Sequence, residues 1–197
     1  MALWASGGPA SAAPPGGIDG YAPLQRKPAP ARASDVLVLG AVAGAMGLGL
    51  AHGRKAGEWG SLMAGAGTLA VTAGLTEVTK NLAGRRRPYT WDPGHSAAGL
   101  TGYCAGTPPN SPDDCKSFYS GHTAIAAASS FFAVRDLQLR GELKTAAAFR
   151  LAYGTAAVLT ITTGTLRVLA GQHYISDVAV GAVVGTGLGL LGPMVVF

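Results

Sequence analysis

Five stretches without Asp, Glu, Lys or Arg succeed one another along the chain: Val36–Ala51, Trp59–Thr76, Ser117–Val134, Leu151–Leu166 and Val178–Phe197. Each runs 16 to 20 residues, close to the roughly 20 that a helix needs to cross a bilayer. None alternates with period two, and all are long for strands, so the pattern predicts five helices. Two arrangements are open, a buried soluble bundle and a membrane bundle. The membrane bundle is preferred, because soluble helices carry a charged face and these stretches have none. Small residues recur at a spacing of four, at Gly40 and Gly44 and at Gly181, Gly185 and Gly189, the spacing at which membrane helices approach closely. Residues 1–34 are rich in Ala, Pro and Gly without apolar period, and read as a flexible tail. The expected organisation is therefore a 1–34 tail and an all-α membrane domain over 35–197.

Composition sharpens this picture. Charged residues make up 13% of the 197, about half the roughly 25% of an ordinary globular protein, and mean hydropathy is +0.29. The net charge of +5 suits an anionic lipid surface. The basic residues form no long run and are not interleaved with aromatics, so nucleic acid is not an expected partner. The connections after the first and third stretches are basic and carry six Lys and Arg, against nine elsewhere. Setting aside Lys80, Arg87 and Arg167 as functional leaves the sides level, so the positive-inside rule does not decide orientation. Cys104 and Cys115 share one Pro- and Gly-rich loop, as free thiols or as a disulfide worth on the order of 3 kcal/mol. A disulfide would put the loop in an oxidising compartment. The expectation is an integral protein of a bacterial inner or plasma membrane with its site at one membrane edge, on the extracytoplasmic side.

Three polar blocks break the apolar pattern. Lys80 is followed after six residues by Arg87-Pro88. Ser120-Gly121-His122 opens the third stretch. Arg167 is followed by His173 and, four residues on, by Asp177. Gly84 and Pro88 predict a bend that turns Lys80 and Arg87 to one point. The triplet Arg85-Arg86-Arg87 also suits a headgroup anchor. Ser120 is a candidate N-cap, and the free N–H groups of a helix start also hold anions. Gly121 lets a backbone or ligand come close. His122 is then placed to give a proton to a leaving oxygen. On a helix His173 and Asp177 share a face. A carboxylate on one ring nitrogen fixes the tautomer and makes the other a nucleophile, while Arg167 offers a fork for phosphate oxygens. No acidic cluster marks a metal site, so cations must neutralise the phosphate.

These three blocks, in this order, resemble the signature of the type 2 phosphatidic acid phosphatase superfamily, over about residues 77–180. The group includes membrane lipid phosphatases, bacterial acid phosphatases and vanadium haloperoxidases. The resemblance implies an all-helical fold and, for a phosphatase, neither metal nor cofactor. It also implies His173 as a nucleophile that becomes phosphohistidine, Asp177 orienting it, His122 as general acid, and Lys80, Arg87, Ser120, Gly121 and Arg167 binding phosphate. Tyr119 stands where the group usually has Pro, and Leu166 where it usually has Ser. Membrane members usually have six spans against the five counted here. The expected activity is hydrolysis of a lipid phosphomonoester or diphosphate. A vanadate-dependent haloperoxidase, a soluble-type acid phosphatase and a non-catalytic lipid-phosphate binder or transporter are the alternatives. The sequence does not specify the lipid or the oligomeric state.

Overall fold

The computed structural model describes residues 15–91 and 113–197. Five helices follow one another, α1 Pro28–Ala56, α2 Gly60–Ala83, α3 Gly121–Leu139, α4 Ala146–Leu169 and α5 Ile175–Leu191, with 3-10 turns at Gly17–Tyr21, Pro88–Trp91 and Gly192–Val195. There is no strand among the described residues. Helix α3 packs against each of the other four.

Helix ends follow local chemistry. Gly57 and Gly84 adopt φ of +72° and +55° just past α1 and α2, a left-handed conformation that Gly takes without a Cβ penalty. The Gly84 turn produces the expected bend before Arg87-Pro88. Ser120 caps α3, its Oγ accepting from Thr123 N at 3.4 Å, and Thr145 caps α4 in the same way at 3.0 Å.

The helix surfaces are inverted relative to a soluble bundle. Helix α2 buries Ser61, Gly65, Thr68, Thr72 and Thr76 and exposes Val71, Leu75, Val78 and Leu82. The inward hydroxyls are satisfied: Thr68, Thr72 and Thr76 each donate to the carbonyl four residues back, at 2.7–2.8 Å. Helix α4 likewise places Thr160, Thr163 and Gly164 inside and Val158 and Ile161 outside; Thr160 donates to the Ala156 carbonyl at 2.9 Å, whereas Thr163 Oγ1 is buried without a hydrogen-bond partner among the described residues. By length and apolarity two helices suffice to cross a membrane, Pro28–Ala56 and the α5 segment Ile175–Val195. The described helices number five, as the apolar stretches predict; α2, α3 and α4 fall short of that test, α2 with Glu77 and Lys80 and α3 with Arg135 and Asp136 within their lengths.

The Gly181, Gly185 and Gly189 series does what its spacing predicts. A Cβ on these residues would come within 2.6 Å of Ser120 O, 2.1 Å of Ala124 O and 2.7 Å of Ala128 O, so α5 lies directly on the backbone of α3. Gly40 and Gly44 differ: nothing lies within 4 Å of a Cβ at either. They line a groove of about 540 Å³ between α1, α3 and α4.

The boundary drawn at residue 34 moves. Pro28–Ser34 are the first turns of α1, and Pro28 stands at the first helical position, where a missing N–H costs nothing. Upstream, Asp19 binds the start of α5, accepting from Ser176 N at 3.0 Å and Ser176 Oγ at 2.8 Å, and Lys27 N donates to Ala170 O at 3.1 Å.

Candidate active site

One end of the bundle gathers the C-termini of α2 and α4, the N-termini of α3 and α5, and the first third of α1. Four backbone hydrogen bonds lace the connecting segments together there. Ser117 N donates to Arg85 O at 2.9 Å, Arg87 N to Asp114 O at 2.8 Å, Tyr89 N to Gly171 O at 3.0 Å and Ser120 N to Asp177 O at 3.1 Å. All three polar blocks thus meet at one place, although long segments separate them in sequence.

His173 lies in the α4–α5 link and is 1% exposed; with Tyr174 it is the largest fully buried side chain among the described residues. Its Nδ1 is 2.7 Å from the carbonyl oxygen of Ser117. A carbonyl only accepts, so Nδ1 carries the proton and Nε2 carries the lone pair. Nε2 is buried and has no hydrogen-bond partner among the described residues. Burial pushes the His173 pKa down to about 3; the Asp177 carboxylate pulls it up, and the positive charges of Arg87 and Arg167 press it further down. The ring is therefore neutral at physiological pH.

Asp177 is not the direct hydrogen-bond partner of His173. Its Oδ2 is 3.7 Å from Nδ1, beyond hydrogen-bond range. The two side chains are instead linked by contacts to the same residue, Ser117. Ser117 Oγ donates to Asp177 Oδ2 at 2.5 Å while the Ser117 carbonyl holds the imidazole. Tyr174 N donates to Oδ2 at 2.9 Å and Arg85 to Oδ1 at 2.6 Å. The carboxylate, with no exposed surface, is thus fully compensated, as a buried charge must be.

The arginine triplet points inward. Arg85 bridges Asp177 and Asp19, the latter at 2.7 Å, and its guanidinium lies 4.2 Å from the Tyr174 ring centroid. Arg86 hydrogen-bonds Thr90 and stacks on Trp91 at 4.0 Å. Arg87 donates to Gln172 Oε1. Arg86 and Arg87 are buried, so the headgroup-anchor reading of the triplet does not hold.

The remaining candidates converge on the same end. Lys80 Nζ stands 3.5 Å from where a Gly121 Cβ would be, so the missing side chain at Gly121 leaves room beside the ammonium. Arg167 is buried, with NH1 at 3.4 Å from Ser34 Oγ and 3.5 Å from Asp35 Oδ1. His122 Nε2 is 2.8 Å from the same Asp35 oxygen. The Nε atoms of Arg87 and Arg167, like His173 Nε2, are buried without a partner among the described residues. Lys80, Arg87 and Arg167 lie close enough to act on one another electrostatically. Ser120 Oγ is engaged as the α3 cap and also accepts from Thr123 Oγ1 at 2.9 Å. Cys115 is disulfide-bonded; Cys104 lies outside the described residues. No group of three or more His, Cys, Asp or Glu suited to a metal occurs among the described residues.

The PAP2 superfamily sequence profile matches residues 61–197, more than half of the chain and all three blocks. The chain belongs to the PAP2 superfamily. Phospholipid phosphatase 2 of Rattus norvegicus is 34% identical over 125 residues, covering 59% of this chain and 45% of that protein. Its counterpart in Mus musculus matches to the same extent. The chain thus spans less than half the length of the curated relatives it matches. No solved structure matches. Within this PAP2 chain, Asp19, Ser34 and Asp35 lie upstream of the matched region.

Sequence reasoning missed Arg85, Ser117, Gln172, Asp19 and Asp35. Arg85 had a signal, since it sits in a triplet two residues from a candidate. Asp19 and Asp35 had none, because their roles depend on how distant segments pack.

Proposed function

We propose that this PAP2 protein is a metal-independent phosphatase that hydrolyses a phosphomonoester or diphosphate of a membrane lipid through a phosphohistidine. The observation that carries this reading is the 2.7 Å contact between His173 Nδ1 and the Ser117 carbonyl oxygen, from which the tautomer follows. The Ser117 carbonyl holds the proton on Nδ1, and the neutral Nε2 stands buried and unpartnered, as a nitrogen nucleophile requires. Lys80, Arg87 and Arg167 balance the phosphate charge, so the reaction needs no divalent ion for charge neutralisation. The Ser120-Gly121 turn and the N–H groups at the start of α3 hold further oxygens.

The steps balance. His173 Nε2 attacks phosphorus, the bond to the lipid oxygen breaks, and His122 gives that oxygen a proton. His122 then takes a proton from water, the hydroxyl oxygen attacks phosphorus, and the P–N bond breaks to release inorganic phosphate. Asp177, through Ser117, keeps His173 in the reactive tautomer.

A lipid substrate is supported by the outward apolar stripes of α2 and α4 and by the two helices long and apolar enough to cross a bilayer. In water such stripes would aggregate, and in lipid they are solvated. The names of the mammalian relatives point the same way. The disulfide at Cys115, in the segment that binds Arg85 and Arg87, favours a site in an oxidising compartment. Phosphate release from a panel of lipid phosphates in detergent, with EDTA throughout, tests the proposal. Release by wild type that is abolished in His173→Ala is expected. Release that requires added metal, or that persists in the variant, contradicts it.

A further inference from the structure

The proposed mechanism asks His122 to carry a proton next to two cations. Burial weighs most against a charged ring at this position, and Arg167 and Lys80 add like-charge repulsion that expels a proton from an imidazolium. A general acid in such surroundings needs a compensating carboxylate. The block Ser120-Gly121-His122 brings none with it.

Helix α1 supplies one. Asp35 Oδ1 lies 2.8 Å from His122 Nε2 and 3.5 Å from Arg167 NH1. Its neighbour Ser34 is fully buried, donates to Ala31 O at 2.6 Å, and holds Arg167 NH1 at 3.4 Å. This turn of α1 is therefore fixed against α4, which gives Asp35 a defined place although its side chain is 50% exposed. A carboxylate accepts and does not donate, so the proton between the two groups sits on Nε2. Nδ1 is then the nitrogen that exchanges a proton with the substrate.

We propose that Asp35 is the positioning residue of His122: it holds the Nε2–H, directs Nδ1 at the leaving oxygen, and stabilises the imidazolium. This inference rests on the phosphatase reading. It gives the site two histidines held by carboxylates, one through Ser117 and one directly. Asp35 lies outside the region that matches the PAP2 profile, so the family comparison does not assign it.

The full chain in detergent tests the proposal with two substrates, a dialkyl phosphatidate and p-nitrophenyl phosphate. An alkoxide needs a proton to leave, and p-nitrophenolate does not. The ratio of kcat/KM for the two isolates the proton donated during phosphoenzyme formation. General acid catalysis contributes about 10²–10⁴-fold, so Asp35→Asn is expected to lower the alkyl-to-aryl ratio at least about tenfold, with Asp35→Glu partly restoring it. Equal loss with both substrates indicates a structural role and overturns the proposal. A rise with both means that Asp35 competes with phosphate for Arg167, and overturns it too.

A measurement independent of turnover accompanies this. In ring-15N-histidine protein the His122 signals are assigned through their loss in His122→Gln. Removing an opposite charge at this distance lowers a pKa by about one unit or more. The groups acting on His122 are Asp35 from α1, Lys80 from α2 and Arg167 from α4. The His122 midpoint is expected to fall in Asp35→Asn, and an unchanged midpoint refutes the pairing. If wild type cleaves neither substrate, the phosphatase reading fails while the titration still decides the Asp35–His122 pairing.

Discussion

Replacing Gly185 by Ala adds one methyl where α5 lies on α3. That Cβ would sit 2.1 Å from Ala124 O and 2.8 Å from Ala124 Cα. Ordinary contact begins near 3.4 Å, so the helices must separate by roughly 1 Å. The obstacle is backbone, and Ala124 is fully buried on the helix that touches all the others, so no side chain can swing away. Overpacking costs typically about 1–3 kcal/mol, and a clash with backbone belongs at the upper end. A loss of about 3 kcal/mol lowers Tm by roughly 6–12 °C for a domain of this size. The same separation stretches the 3.1 Å bond from Ser120 N to Asp177 O, which ties the His122 turn to the start of α5. A displacement of about 1 Å in a catalytic site costs on the order of 100-fold in rate. Gly187→Ala on the same helix is the control, since nothing lies within 4 Å of its Cβ. It should hold or gain up to about 1 kcal/mol, because Ala favours helix over Gly. Thermal unfolding in detergent and initial rates are the assays. If both variants unfold at the same temperature and turn over alike, α5 does not rest on α3 as described.

Other consequences follow from the same contacts. Arg85→Ala removes the cation facing a carboxylate with no exposed surface. Breaking a buried pair costs about 3–5 kcal/mol, and the hydrogen bonds from Ser117 and Tyr174 that remain on Asp177 favour the lower end; thermal unfolding should show this loss, and the double variant with Asp177→Asn should lose less than the sum. The Asp19 carboxyl lies below its usual range: burial raises it, but the Ser176 backbone N–H and Arg85 outweigh that. Its contribution is therefore full above the unfolded value of about 3.9 and is lost as pH falls through the lower folded value. The stability difference between wild type and Asp19→Asn, measured by urea unfolding, should be constant from pH 7 to 5 and shrink below pH 4; growth of the difference towards acid pH refutes the contact. For orientation, an impermeant maleimide applied to intact cells after reduction should label the cysteines that reduction frees, and labelling only after lysis would place the site on the other side.

Much of this was legible in the sequence because short-range rules governed it. Gly84 and Pro88 foretold the bend that delivers Arg87, Ser120 foretold the α3 cap, and the four-residue glycine series on α5 foretold close approach. Where partners lie far apart in sequence, the same rules fell silent or misled. Gly40 and Gly44 have the spacing of Gly181 and Gly185, but spacing defines a helix face and not what is set against it, and theirs borders a groove. Residues 28–34 read as tail because the Ala-, Pro- and Gly-rich segment shows no apolar period, yet the first turn of a helix tolerates proline, and α1 starts at Pro28. His173 and Asp177 are four apart as a hydrogen-bonded pair would be, but α5 begins between them at Ile175, so His173 precedes the helix and turns to the Ser117 carbonyl. Asp35 reaches His122 only because α1 packs along α3 and α4.

The central claim is that His173 Nε2 takes the phosphoryl group. Wild-type protein is mixed with 32P-labelled lipid phosphate, quenched in alkali within milliseconds, and digested for peptide mapping. The account predicts an acid-labile, alkali-stable phosphate on His173 that forms before free phosphate, is absent from His173→Ala, and accumulates in His122→Gln with an activated aryl phosphate. Release of phosphate with no labelled histidine at any time, or label on His122 instead, would contradict it.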